Sequence, residues 1–261
     1  MPNPVQLPPY AQLFGVGVAS TGDIWMAGSS GDGTFFLHWD GVELSHVKGL
    51  QGTAKGGILG VAALPTGRAW ASGFTQVSGA GSLPLVAHLC PISVTGDGFK
   101  PVSSRVGQGT TAVWTFAQGN AQSHTVTDSS GIGLFDSGMR GAGGSFVVDL
   151  PGAGSYPYLD QTSGASGRVA VPVLASPPAG GVGTTFTVTW SDEQAPDDLV
   201  FDVQVRRPGA AWVDWKTGQG GRSATFIPDA GPGTYSFRCR VRDEGTGAHS
   251  NWSPSASILV T

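Results

Sequence analysis

The chain has 261 residues, including 42 Gly and 18 Pro, and only 12% of it is charged. Solvated helices draw on Glu, Lys, Ala and Leu at every turn, so this composition excludes a coiled coil or a helical bundle. The formal charge of −4 is spread along the chain with no basic segment of the kind that phosphate backbones attract, which excludes nucleic acid as a partner.

What remains abundant is Val, Thr, Ser, Gly and aromatic residues, which suit pleated strands and tight turns, so the chain is expected to be all-β. No apolar run approaches the roughly 18 residues of a membrane-spanning helix. The opening Met1-Pro2-Asn3-Pro4-Val5-Gln6 has neither the basic start nor the apolar stretch of an export signal. Cys90 and Cys239 stand far apart and form no Cys-x-x-Cys pair, so neither a zinc site nor a disulfide framework is expected.

Residues 1–89 contain an internal repeat. Phe14-Gly15-Val16 leading to Gly22-Asp23-Ile24-Trp25 returns as Leu59-Gly60-Val61 leading to Gly67-Arg68-Ala69-Trp70, an offset of 45 positions. Each copy is followed by an apolar strand ending in His, with Phe36-Leu37-His38-Trp39-Asp40-Gly41 after the first and Val86-Ala87-His88-Leu89 after the second. A period in the 40s filled by short strands and Gly turns marks a β-propeller blade, and the pattern resembles the propeller-like repeats of secreted bacterial proteins. Two copies cannot close a ring. Residues 1–89 are therefore expected to end a longer propeller, with further repeats upstream behind an export signal; a small open sheet is the alternative. His38 and His88 occupy matching repeat positions and read as a repeated structural feature, whereas His46 stands alone in a polar turn region.

Residues 90–173 carry short strands at spacings of roughly 8–12 residues with Gly-rich turns, the pattern of a β-sandwich. Ala112, Trp114 and Phe116 alternate with polar or edge positions. The order Phe99-Lys100-Pro101, Gly109 to Phe116, Ser123-His124-Thr125-Val126, Gly133-Leu134-Phe135-Asp136-Ser137-Gly138 and Tyr156-Pro157-Tyr158 resembles the cupredoxin (plastocyanin- and azurin-like) family over nearly the whole segment. That resemblance implies a Greek-key sandwich and a type 1 copper site of two His, one Cys thiolate and a weak axial Met. Asp160 stands where the Cys is implied, Ser163 where the second His is implied and Ser166 near the Met position, so only His124 of the ligand set is retained. One imidazole and two hydroxyls cannot hold copper selectively. His124, Asp160, Ser163 and Ser166 thus read either as a vestigial metal site or as an emptied one in which His124 donates a hydrogen bond to Asp160. No cofactor is expected. Copper enters only under the alternative of an altered electron carrier, for which Cys90 is the one nearby thiol.

Residues 174–261 alternate as strands in Phe186–Trp190, Leu199–Arg206, Tyr235–Arg242 and Ala256–Val260, and the segment resembles a fibronectin type III domain throughout. Ser176-Pro177-Pro178-Ala179-Gly180-Gly181 reads as the linker into it. Alternation puts Tyr235, Phe237, Cys239 and Val241 on the core face and Arg238, Arg240 and Arg242 on the other. The resemblance implies a structural array of Arg238 and Arg240 stacked on Trp252. Trp212 and Trp215 have opposite parity, so one is expected buried and the other near solvent, where it either stacks on a sugar ring or packs at the sandwich rim. Asn251-Trp252-Ser253 is formally a glycosylation sequon. Asp192-Glu193 and Asp197-Asp198 read as a solvated loop without the ligand periodicity of a calcium site.

No nucleophile elbow, zinc-protease helix, phosphate loop or dinucleotide fingerprint is present. The expectation is a non-enzymatic, extracellular or cell-surface protein of three all-β modules, 1–89, 90–173 and 174–261, whose partner is another protein or a surface glycan.

Overall fold

The computed structural model of the protein describes residues 7–31, 33–39, 41, 44–48, 55–64, 68–77 and 81–261, and every regular element among them is a strand. Residues 1–6, Asp40 and residues 65–67 of the second repeat lie outside them. The first repeat forms an antiparallel meander of β1 (Gln12–Ser20), β2 (Asp23–Ser30), β3 (Gly33–Trp39) and β4 (Leu44–Lys48). The second supplies β5 (Gly57–Leu64), β6 (Arg68–Val77) and the first half of β7 (Gly81–Thr95).

The repeat is carried into three dimensions down to its irregularities. From Gln12 to Val18 and from Gly57 to Ala63, β1 on β2 and β5 on β6 share one register and one bulge, at Phe14 in the first copy and Leu59 in the second, while a further irregularity between Val18 and Ser20 belongs to the first copy alone. Opposite each bulge stands a glycine, because the bulged strand presses its backbone onto that position. A Cβ on Gly28 would lie 1.8 Å from the Gln12 carbonyl oxygen, and one on Gly73 would lie 2.0 Å from that of Gly57. Gly73→Ala is therefore expected to cost about 1–3 kcal/mol or more, since a backbone oxygen cannot swing aside as a side chain can. Denaturant unfolding would measure it, and a loss below 0.5 kcal/mol, the order of an ordinary surface substitution, would show that the bulge relaxes.

Trp25 pairs directly with His38 and Trp70 with His88, and the rings stack at 4.3 and 4.4 Å. His38 Nε2 lies 3.0 Å from Asp23, while His88 Nδ1 shares a 2.7 Å hydrogen bond with the Thr110 hydroxyl. Burial and the Arg68 charge hold the His88 ring below its ordinary value. His46 sits in β4 rather than in a turn, half-buried with its ring 5.8 Å from that of Phe35. The sheets of the two repeats stack face to face and no sheet among the described residues closes into a ring.

The middle module adds β8 (Gly98–Lys100), β9 (Ser103–Arg105), β10 (Thr110–Phe116), β11 (Thr127–Asp128), β12 (Ser145–Asp149), β13 (Gly154–Leu159) and β14 (Ser166–Val171). β7 runs through positions 89 and 90 without a break. It is antiparallel to β6 along its first half and parallel to β10 from His88 to Val94. The second repeat and the middle module thereby share one sheet of order β12-β10-β7-β6-β5, with β8 on β7. The opposing sheet has the order β11-β13-β14-β9, and Ile92, Val94, Trp114, Phe116, Tyr156 and Tyr158 fill the space between the two. The polar-or-edge alternation expected in β10 is absent, since all seven of its residues are buried. Trp114 faces the sandwich core, while Val113 and Val147 face the first repeat and pack with Trp25, Phe36 and Val47. A strand covered on both faces loses the period of two that a half-exposed strand displays.

The third module comprises β15 (Leu174–Ser176), β16 (Ala179–Gly180), β17 (Phe186–Thr189), β18 (Leu199–Arg206), β19 (Trp212–Gln219), β20 (Ser223–Phe226), β21 (Gly233–Asp243) and β22 (Ala256–Val260). Its sheets are β15-β17-β20 and β16-β22-β21-β18-β19. The Ser176–Gly181 stretch lies inside this sandwich rather than between modules: β15 pairs β17 in one sheet and β16 pairs β22 in the other. Pro177 and Pro178 lack the N–H that a continuous strand needs, so the edge breaks there and changes sheet. The Tyr235 hydroxyl donates to the Gly231 carbonyl and accepts from the Ala230 amide, the corner tie of such sandwiches. The module is bound closely to the middle one. The Gln108 amide nitrogen donates to the carbonyls of Pro172 and Thr189, Ser155 and Asn251 exchange two backbone hydrogen bonds, and Gly152 leaves room for the Phe201 ring.

Candidate functional site

His124 follows a loop, its backbone bridged to Arg140, and Asp160 comes directly after β13 at the mouth of the tight turn that leads back into β14. The fold brings the two together, with His124 Nδ1 2.7 Å from Asp160 Oδ2 and both residues buried. The carboxylate accepts four further hydrogen bonds, from the amides of Thr125, Thr162 and Ser163 and from the Ser163 hydroxyl at 2.5 Å. Burial alone would push the Asp160 carboxyl up. The Ser163 hydroxyl, the Thr125 amide, the His124 ring and the Thr162 amide outweigh it and hold the group well below the usual carboxylate range. An ionised carboxylate only accepts, so the proton in the His124–Asp160 bond belongs to Nδ1.

Ser166 is not part of this cluster. It lies at the start of β14, exposed and paired with Leu159. The donor set that remains is one imidazole with its nearer nitrogen committed, one carboxylate already saturated with donors, and one hydroxyl. Type 1 copper needs a thiolate and soft or imidazole donors, so these residues do not fit it. Cys90 lies instead in β7, paired with Ala112 of β10, and burial pushes its thiol up. Among the described residues no group of three or more His, Cys, Asp or Glu is placed to share a metal ion.

The aromatic and cationic side chains of the third module form a longer ladder than Arg238, Arg240 and Trp252. The Arg238 guanidinium lies 4.7 Å from the Trp252 ring centre and 4.4 Å from that of Trp212, with Arg240 over Trp252 and Arg206 over Trp212. Each contact contributes about 0.5–1 kcal/mol at such partly exposed positions. Trp212 thus lies among the arginines rather than standing open to a ligand. Trp215 packs on Trp190, Phe226 and Phe237. Both rings are half-buried, where one buried and one open were expected. A bulge between the pairs Val203–Lys216 and Gln204–Asp214 turns Trp215 towards the core. Beneath the ladder Asp202 is buried and accepts from Arg240, Arg242 and the Gly218 amide. Burial raises its carboxyl, but those donors and charges bring it below the ordinary value. Cys239 is buried and burial pushes its thiol far up, so it behaves as a small apolar residue.

Two clefts open where modules meet, neither legible in the sequence because each draws on distant segments. One, of about 340 Å³, brings Arg68, Lys100 and Arg105 around Asp23 and His38. The other, of about 330 Å³, sets Asp149, Asp192 and Glu193 beside Leu85 and Val86.

No protein-family model matches the chain, and no curated protein matches it. Among solved structures it is similar to a purple cupredoxin from Nitrosopumilus maritimus, at 24% identity over 31% of this chain and 98% of that one, with a TM-score of 0.29. A Cu(I) mutant form of amicyanin matches at 20% identity over 32% of this chain and 81% of that one, also at 0.29. The FN1–FN3 domains of chicken CNTN1 match at 9% identity over 97% of this chain and 98% of that one, at 0.26. The chain is an all-β, multi-module protein with two β-sandwiches, and no helix of it among the described residues is long and apolar enough to cross a membrane.

Proposed function

We propose that this is a non-enzymatic extracellular or cell-surface protein with a binding or scaffold role. Its middle module is a cupredoxin-type sandwich that has exchanged its copper site for a structural lock, its last a fibronectin type III-type sandwich, and its first a pair of propeller-like repeats. The partner is a protein or a surface glycan. The observation that supports the reading is the Asp160 carboxylate, which takes five donors, His124 Nδ1 among them, where the resembled family would hold copper. Such a group fastens β13 and the turn after it to the loop that carries His124, and it spends the one retained ligand on that task.

The test is a titration of the whole protein with Cu(II), then with Cu(I) under reductant, read by visible absorption and calorimetry with His124→Ala alongside. The expected result is weak binding that the substitution leaves unchanged. Tight stoichiometric binding with a thiolate charge-transfer band, lost in His124→Ala, would overturn the proposal and make the protein an electron carrier with an altered site.

A further inference from the structure

From a gap in the edge of the shared sheet and the charges around it, we infer that the protein binds a tetrahedral oxyanion, a phosphate or sulfate group, in the cleft between the second repeat and the middle module. β10 occupies one edge of β7 from His88 to Val94. On the other edge β6 pairs as far as Leu89, and β8 resumes the pairing at Ser93. Among the described residues, no strand lies beside Cys90, Pro91 and Ile92 on that edge. The strand ends around this notch carry cations. Arg68 begins β6, Lys100 ends β8 and Arg105 ends β9, and all three line the cleft of about 340 Å³.

Position 68 is the repeat equivalent of position 23, and the charge there is reversed. In the first copy Asp23 meets His38 of its own sheet at 3.0 Å. In the second, His88 bonds to the Thr110 hydroxyl, and the Arg68 guanidinium donates to the Arg105 carbonyl, which takes up only part of its donor fork. Among the described residues Arg68, Lys100 and Arg105 form no ion pair. Asp23, already set against His38, is the one carboxylate among the described residues that line the cleft.

Three cations therefore stand against one carboxylate in a chain whose net charge is −4, and a cleft lined by one sign of charge concentrates the opposite ion. The Ser93 and Ser103 hydroxyls line the same opening, and Arg168 reaches its rim through a 3.2 Å hydrogen bond to Ser103. The cations come from three different strands, so their donors approach from different directions. A phosphate or sulfate group offers oxygens that diverge in space to meet them, whereas a carboxylate offers two in one plane and suits a single guanidinium fork.

The experiment is calorimetric titration of the whole protein at neutral pH and constant ionic strength, with chloride as the balancing anion. The probes are inorganic phosphate, inorganic sulfate, a galactose phosphate monoester and acetate. Each is run on the parent, on Lys100→Gln, on Arg105→Gln and on Lys216→Gln, which removes a cation lying over Trp215 in the third module. Lys100 and Arg105 are exposed, so both variants should keep the parent's melting temperature. Inorganic phosphate or sulfate is expected to bind at one site with a Kd at or below about 1 mM, and about tenfold or more tightly than acetate. Lys100→Gln and Arg105→Gln should each weaken that binding by about tenfold, and Lys216→Gln should leave it unchanged. A sugar monoester bound as tightly as free phosphate, or more so, would identify the ligand as an ester on a glycan; one bound more weakly would identify it as the free ion. No saturable binding of phosphate or sulfate, acetate bound as tightly as either, binding that survives both cleft substitutions, or an equal loss in all three variants would overturn the inference.

Discussion

Asp160→Asn is expected to cost about 3–5 kcal/mol in denaturant unfolding at neutral pH, the range for removing one charge from a buried, hydrogen-bonded pair. The isosteric amide keeps the shape of the site but cannot accept from all five of its donors, and His124 Nδ1–H and the amides around it lose their common acceptor. The pH dependence follows from the direction of the shift. The folded carboxyl titrates below its unfolded value of about 4, so its contribution is complete above that value and is lost as pH falls towards the folded one. Stability of the parent should thus decline as pH is taken below about 5, and the gap to Asp160→Asn should narrow over the same interval. Unfolding curves at pH 7, 5 and 3 give both quantities. Two acid profiles running parallel would show that the carboxylate of Asp160 contributes no such stability.

Val113→Asp is expected to destabilise by more than about 4 kcal/mol, since it places an unpaired charge between two apolar faces. Val113 packs with Trp25, Phe36 and Val47 of the first repeat as well as with Val147 beside it. The same substitution on a middle module that stood apart from residues 1–89 would fall on an open sheet face and cost within about 0.5 kcal/mol. Thermal unfolding followed by tryptophan fluorescence and calorimetry distinguishes the two cases. A lowered midpoint shared by the first and middle modules is the outcome that the shared sheet requires, and a midpoint close to that of the parent would separate them.

How far the chain could be read in advance depended on the range of the interactions involved. The 45-residue repeat was visible because both copies use the same strand register and Gly positions, and the bulges at Phe14 and Leu59 with Gly28 and Gly73 opposite them show that the reading reached the backbone. The facing of Tyr235, Phe237, Cys239 and Val241 followed from alternation alone, because β21 has one covered face and one cationic face. His124 and Asp160 could be singled out from a ligand pattern, although 36 positions separate them. That Ser166 lies outside their cluster depended on a tight turn at 161–165 whose geometry no residue pattern announced.

Composition and periodicity by themselves determined the all-β class and the 45-residue repeat, because both are written in residue types and short spacings. Only the tertiary structure decided that β7 joins two modules in one sheet, that β10 is covered on both faces, that Trp212 lies between Arg206 and Arg238, and that charge gathers in clefts at the module junctions. A strand states in its own sequence which side chains alternate, but what covers each face is set by segments tens of residues away. Burial and charge at such a face are properties of the assembled layers and not of any stretch of the chain.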